Sequence, residues 1–202
     1  MLIYKHIHNQ EVVKMKHLRV ILSLTVICSL LLATGCGAGE PTIETPVEEM
    51  NVTAADLGPD WSLQQEQGKD ELADILDAGD LVDANMRVFA AAAEQTTFVS
   101  QILSVNSVAS AKTTMAADFV DAFTAGIRSS LPELTLEEVD PPGVGDEAIM
   151  LEGEMSNMGF NIYVLAFRKA NVIATLFLMG PTEFVNQESV ASYAQKVEAK
   201  IQ

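Results

Sequence analysis

Histidine and cysteine are almost absent from this chain of 202 residues. His6, His8, His17 and Cys28 all precede Cys36, and no residue of either type follows it. The C-terminal part therefore has no Ser–His–Asp or Cys–His nucleophile system, no zinc site of Cys and His ligands, and no usual haem or iron–sulfur ligation. It also has no cysteine pair for a disulfide. We predict a domain without cofactor or metal that is held together by its core and is not an enzyme.

Basic residues are also few, and many of them are near the N-terminus. Four of the 12 Lys and Arg residues, but one of the 28 Asp and Glu residues, precede Cys36, so the rest of the chain has a formal charge of −19. A body this acidic repels nucleic acid and anionic lipid headgroups, whereas it attracts cations and basic partners. We therefore predict that nucleic acid is not a partner.

Long apolar runs are absent apart from one near the N-terminus. Residues 20–33 are 14 uncharged, mainly apolar residues that follow the basic segment 14–19. This run is shorter than the roughly 20 residues that a membrane-spanning helix needs. A basic stretch, a short apolar stretch and small residues are typical of a secretory signal peptide. We predict a signal peptide over residues 1–35, with Met15 as the true start because the segment then has an ordinary length. An uncleaved helical anchor is the alternative.

The end of this segment, Ala33-Thr34-Gly35-Cys36, resembles the lipobox of bacterial lipoprotein precursors. The resemblance implies cleavage before Cys36, a thioether-linked diacylglycerol on its sulfur, and then an N-linked acyl chain such as palmitate. Two or more acyl chains anchor a protein stably to a membrane. The implied location is the extracytoplasmic face of the cell membrane, or the outer membrane, with the membrane itself as a partner.

The composition changes again after the lipobox. Gly, Pro, Thr and Glu dominate residues 37–52 and show little periodicity. This pattern predicts a lipidated cysteine and flexible tether over residues 36–52. A single extracytoplasmic domain then spans residues 53–202, a length that suits one core.

Apolar periodicity predicts the elements of this domain. Ser107 is placed to cap the second helix through its hydroxyl, and Asn171 suits the turn of a hairpin. The hairpin strands are apolar on both faces, so we expect them to be central in a sheet. The predicted helices are 69–78, 108–128 and 186–201, and the predicted strands are 86–93, 96–106, 147–155, 159–168 and 171–179.

Strands followed by a helix occur twice in this order. The pattern predicts an α+β fold, in which an antiparallel sheet has helices packed on one face. Two β–β–α halves fit the same order, since the triplets Ser107-Val108-Ala109 and Ser189-Val190-Ala191 lie near the start of the helix in each half.

Four aspartates recur at every third residue, at Asp74, Asp77, Asp80 and Asp83. Calcium loops instead use alternating ligands around a central glycine, so the run departs from that pattern. A solvated helix face and loop is the interpretation we favour, and a calcium site is the alternative.

A second set of acids lies around the predicted strand 147–155. Asp146, Glu147, Glu152 and Glu154 contain the two carboxylates that glycoside hydrolysis needs. Glu152 and Glu154 share one strand face because strand side chains alternate. A solvent-facing strand surface is the simpler interpretation, so we assign no catalytic residue.

Three further features have a structural and a functional interpretation. Trp61 suits the edge of a core, or else an exposed ring that stacks on a ligand. The glycines of the segment 143–147 predict a tight turn, since the lysine of a phosphate loop is missing. Arg168 and Lys169 occupy the predicted hairpin tip, where they are either an exposed turn or a contact for an anionic ligand.

Three short segments, Asp56–Trp61, Gly145–Ala148 and Phe167–Val172, are similar to parts of small bacterial surface lipoproteins. They are also loosely similar to extracytoplasmic sensor-like domains of actinobacterial lipoproteins and kinases. The resemblance implies a lipid-tethered, non-enzymatic module that binds a small molecule or a protein. The alternatives are a structural envelope component without a discrete ligand and a carboxylate-based hydrolase.

Overall fold

A computed structural model describes residues 40–72, 80–116, 134–155 and 159–202 of the chain. The described helices, none of which is long and apolar enough to cross a membrane, are short. In chain order the elements are α1 (Val47–Met50), α2 (Ala54–Leu57), β1 (Trp61–Gly68), α3 (Lys69–Leu72), β2 (Leu81–Ala91), β3 (Thr96–Val105), α4 (Val108–Ala116), β4 (Leu136–Val139), β5 (Glu147–Met155), β6 (Phe160–Lys169), β7 (Val172–Pro181) and α5 (Gln187–Glu198).

The seven strands form one antiparallel sheet in the order β1-β2-β3-β7-β6-β5-β4. Two meanders, β1–β3 and β4–β7, meet where β3 pairs with β7. Each meander is followed by a helix, α4 in the first case and α5 in the second. The predicted α+β class, the antiparallel sheet and the repeated order of strands then helix are confirmed.

The hairpin of β6 and β7 forms the middle of the sheet, as its sequence predicts. Leu165 pairs with Leu176 on one face, and Val164 pairs with Phe177 on the other. Apolar side chains therefore project from both faces of these strands. A sheet of this kind needs cover on both sides to exclude water from its apolar surface.

The helices are divided between the two faces of the sheet. The face that carries Leu165, here called the first face, packs against α1, α2 and α5. The opposite face, called the second face, carries Ala166 and Ile173 and packs against Ala111 and Met115 of α4. The sequence pattern predicts helices on one face of the sheet, whereas the structure has them on both faces, because one layer would leave half of the apolar sheet surface exposed. Since α4 and α5 cover opposite faces, the two halves are not related by a twofold axis perpendicular to the sheet.

The domain begins earlier than the composition predicts. Val47, Met50 and Val52 are each at most 1% exposed and belong to the core of the first face. Asn51 is also buried, and its amide donates to the backbone oxygens of Asn85 and Ser100. The predicted tether over residues 36–52 is therefore corrected, because the chain is part of the fold from about Ile43 on.

Candidate functional site

An acidic groove lies on the first face, where β4, β5 and the start of β6 extend beyond the core that α5 covers. It is a cleft of about 350 Å³. Glu137 on β4 stands opposite Glu152 on β5, and Glu154 stands opposite Asn161 on β6. The three carboxylates therefore share one surface because of strand register. The groove is lined by Thr135, Glu137, Val139, Glu152, Gly153, Glu154 and Asn161.

Hydrogen bonds fix the floor of this groove. The hydroxyl of Tyr163, a residue that is 3% exposed, donates to the carboxylate of Glu152 at 2.5 Å. Burial, and then this carboxylate, raise the pKa of the Tyr163 hydroxyl, so the hydroxyl remains a donor. The amide of Asn161 donates to the carbonyl oxygen of Val185 at 3.0 Å, in the connection that leads to α5.

The residues that line the groove include three acids and no base. This charge imbalance favours a cation or a basic group as a ligand. The structure brings together Glu152 and Glu154 of the predicted carboxylate set and adds Glu137, which is not in that set. Its position follows from the register of β4, an element that the sequence pattern did not reveal. Glu137 and Glu154 are both exposed to solvent, as the favoured interpretation predicts for Glu154.

Asp146 and Glu147 lie at the opposite end of β5 and contact Arg168 instead. Arg168 is 5% exposed, and its guanidinium lies 3.0 Å from Asp146 and 3.6 Å from Glu147. It also donates to the carbonyl oxygen of Ala170. The prediction of an exposed basic tip is wrong for Arg168, which is buried and pairs with both acids.

The turn that carries Asp146 depends on Gly145. This residue has a φ of +66°, and a Cβ atom at its position would lie 2.5 Å from the carbonyl oxygen of Arg168. Its amide donates to the carboxylate of Glu198 at the end of α5. The predicted tight turn in segment 143–147 is confirmed, and its glycine allows the close approach to β6.

A second cleft, called the end cleft, lies where β2 begins and β3 ends. It has a volume of about 380 Å³. Residues 42–46 form one wall, and Val82, which is 53% exposed, lies on another. Asn171 of the β6–β7 turn fixes this wall. Its side-chain oxygen accepts from the amide of Ile43 at 2.6 Å, and its side-chain nitrogen donates to the carbonyl oxygens of Ile43 and Val105.

The aspartate run lies partly beside this end of the sheet. Asp80 accepts from the side chains of Asn106 and Ser110, so its carboxylate caps a local polar network. Within the described ranges, no three His, Cys, Asp or Glu side chains are grouped to hold a metal ion. Asp74 and Asp77 lie outside the described residues, so the solvated face and the calcium site both stay predictions there.

Trp61 packs at the edge of the core. It is 8% exposed, and its ring meets the rings of Phe98 and Tyr193 edge-on, at centroid distances of 6.2 and 5.7 Å. Edge-to-face pairs of this kind stabilise aromatic cores. The structural interpretation of Trp61 is therefore confirmed.

The predicted lipidation residue Cys36 and the preceding Ala33, Thr34 and Gly35 lie outside the described residues. The signal peptide, its cleavage and the lipid anchor therefore stay predictions from the sequence.

Comparisons with known proteins show a likeness of fold. The extracellular domain of PknH from Mycobacterium tuberculosis is similar over 81% of this chain and 98% of that chain, with a TM-score of 0.54 and 10% sequence identity. The Rv0999 ortholog from Mycobacterium smegmatis gives a TM-score of 0.34 and 12% identity over 72% of this chain and 97% of that chain. No protein-family model matches the chain, and no curated protein matches it in sequence. The likeness to the PknH domain shows a shared fold.

Proposed function

We propose that this chain is a lipid-anchored, extracytoplasmic protein whose domain binds a partner and performs no catalysis. The observation that carries the proposal is that one chain contains both a signal-like segment and a domain with the fold of an extracellular domain. Cys36 ends an apolar, signal-like segment, and the domain that follows shares the fold of a protein domain described as extracellular. An exported domain held by lipid on Cys36 accounts for both parts.

The side chains available favour binding over catalysis. The groove has exposed carboxylates on an open strand surface. The neighbouring hydroxyl of Tyr163 already donates a hydrogen bond to Glu152. Acid–base catalysis by carboxylates commonly uses an enclosed site that separates the environments of the two acids. Exposed carboxylates are suited to holding a cationic group by charge, which requires no change in their protonation.

Intact-protein mass spectrometry of the membrane fraction tests the anchor. We expect a chain that begins at Cys36 and carries the added mass of diacylglycerol and of an acyl chain. Cys36→Ser removes the lipidated species. Cys28→Ser is the matched control, because this residue belongs to the cleaved segment and its substitution leaves the mature mass unchanged. An unmodified chain that retains residues 20–35 would overturn the proposal in favour of a helical anchor.

A further inference from the structure

We infer that the end of the sheet that carries the end cleft faces the lipid surface, and that the acidic groove opens away from it. This inference rests on the proposed anchoring through Cys36. It adds an orientation and assigns separate surfaces to the membrane and to a partner.

The chain is fixed to the sheet a few residues after Cys36. Both the amide and the carbonyl of Ile43 bond to the side chain of Asn171, which is 5% exposed. The hydroxyl of Thr45 donates to the carbonyl oxygen of Gln202 at 2.9 Å. Val47 then enters the core. Residues 43–47 are thus part of the fold and do not lengthen the flexible tether.

The remaining chain has a short reach. Six residues lie between Cys36 and Ile43, and the seven Cα–Cα steps from one to the other span at most about 25 Å when fully extended. The tether of residues 36–52 expected from composition would reach about 60 Å by the same rule. Because Ile43 is fixed, the lipid-linked residue stays within the shorter distance of the end cleft, whatever path the chain takes between them.

The sheet is longer than this reach. β7 begins beside Asn171 and runs for ten residues to Pro181, a rise of about 30 Å. Phe184, 41% exposed, follows at that far end, and its amide donates to the carbonyl oxygen of Pro181. Glu154 and Asn161 pair near the same end, since Asn161 stands opposite Gly180. A short tether therefore holds Val82 near the lipid and leaves Phe184 and the groove remote from it.

In this orientation the end cleft lies next to the membrane, and the acidic groove is available to a partner. The end cleft, with Ile43 and the exposed Val82, faces the lipid surface at close range. The acidic groove faces outward, where anionic headgroups do not compete with it for a basic partner and do not repel it.

Quenching by labelled lipid tests the orientation. The chain from Cys36 to Gln202 is coupled through the Cys36 thiol to a maleimide lipid in neutral phosphatidylcholine vesicles, and a fluorescent residue replaces either Val82 or Phe184. A nitroxide on the lipid headgroup should cause a large loss of fluorescence at position 82 and little loss at position 184. Equal losses, or a greater loss at position 184, would overturn the inference.

A longer tether supplies the matched control. Insertion of a Gly–Ser linker of about 20 residues between Gly39 and Glu40, with a mean span of about 25 Å, frees the domain to turn over. The difference between positions 82 and 184 should then disappear. Chemical coupling provides the anchor in this experiment, so its outcome is independent of whether the cell lipidates Cys36, which the mass measurement decides.

Discussion

The side chain of Asn171 bonds to both backbone groups of Ile43, a residue 128 positions earlier in the chain. The same amide donates to the carbonyl oxygen of Val105, and the backbone of Asn171 accepts from the amide of Val105. One residue of the β6–β7 turn therefore joins the start of the domain to the end of β3. The Asn171 side chain makes the two backbone hydrogen bonds that a neighbouring strand would make, so the N-terminal segment is held without an added strand.

We predict that Asn171→Ala destabilises the domain by about 2–3 kcal/mol. The substitution leaves the amide of Ile43 and the carbonyl oxygen of Val105 without their partner, and each such loss at a buried site costs about 1–3 kcal/mol. Denaturant unfolding measures the change. Asn106→Ala is the matched control, since the Asn106 amide bonds to Asp80 at the surface. An equal effect of the two substitutions would contradict the structural role of Asn171.

The β6–β7 turn also offers a test of backbone strain. Ala170 has a φ of +52°, a conformation that disfavours residues with a Cβ atom. Ala170→Gly should therefore stabilise the domain by about 0.5–1 kcal/mol. Ala92→Gly, at an exposed turn residue whose φ is negative, should instead reduce stability through the greater chain entropy of glycine. Thermal unfolding of both variants distinguishes the two effects.

Sequence periodicity predicted the middle of the fold well because its strands are strongly apolar. The predicted strands at 147–155, 159–168 and 171–179 agree with β5, β6 and β7 to within two residues. β1 and β4 are absent from the predicted strands because exposed polar residues dominate them. Both are edge strands, and each pairs with one neighbouring strand only. The turn residue with positive φ is Ala170, whereas the side chain of Asn171 binds Ile43.

The candidate groove could be predicted in part only. Alternation within one strand placed Glu152 and Glu154 on the same surface, and this holds in the structure. Glu137 joins them through pairing between β4 and β5, and sequence spacing carries no information on which strands become neighbours. The same limit applies to Arg168, whose pairing with Asp146 and Glu147 follows from the register of β5 and β6.

We predict that the groove binds basic peptides with a strong dependence on salt. Replacement of Glu137, Glu152 and Glu154 by glutamine should abolish binding of an oligolysine peptide measured by calorimetry at low ionic strength. Exposed charges are screened beyond about 8 Å at physiological salt, so binding to wild type should weaken as salt rises. The control replaces Glu48, Glu49 and Asp60, which are exposed and outside the groove, by their amides. Equal weakening in both triple variants would indicate attraction by net charge alone.

Asp56 should make the domain sensitive to acid. Burial alone would raise the pKa of Asp56, but hydrogen bonds from Lys200 and Thr53 outweigh it and lower the pKa to about 2. A carboxyl whose pKa is lower in the folded state stabilises the fold above its unfolded pKa of about 3.9 and loses this contribution as pH falls toward 2. The stability difference between wild type and Asp56→Asn should thus be present at pH 7 and vanish between about pH 4 and 2. Asp60→Asn, at an exposed position in the next turn, is the control for the loss of one negative charge.

Tyr163 provides the opposite test, at alkaline pH. Burial and the Glu152 carboxylate raise the pKa of the Tyr163 hydroxyl above its ordinary value near 10. A group whose pKa is raised on folding stabilises the fold below its unfolded pKa and loses that contribution as pH rises through the folded value. Stability of the wild type should therefore fall above about pH 10, and Tyr163→Phe should remove this part of the decline. Tyr193→Phe serves as a comparison, because burial also raises the pKa of Tyr193, whereas its ring packs against Trp61 and Phe98. If the alkaline decline were the same in wild type and in Tyr163→Phe, the hydrogen bond to Glu152 would not be holding the proton on Tyr163.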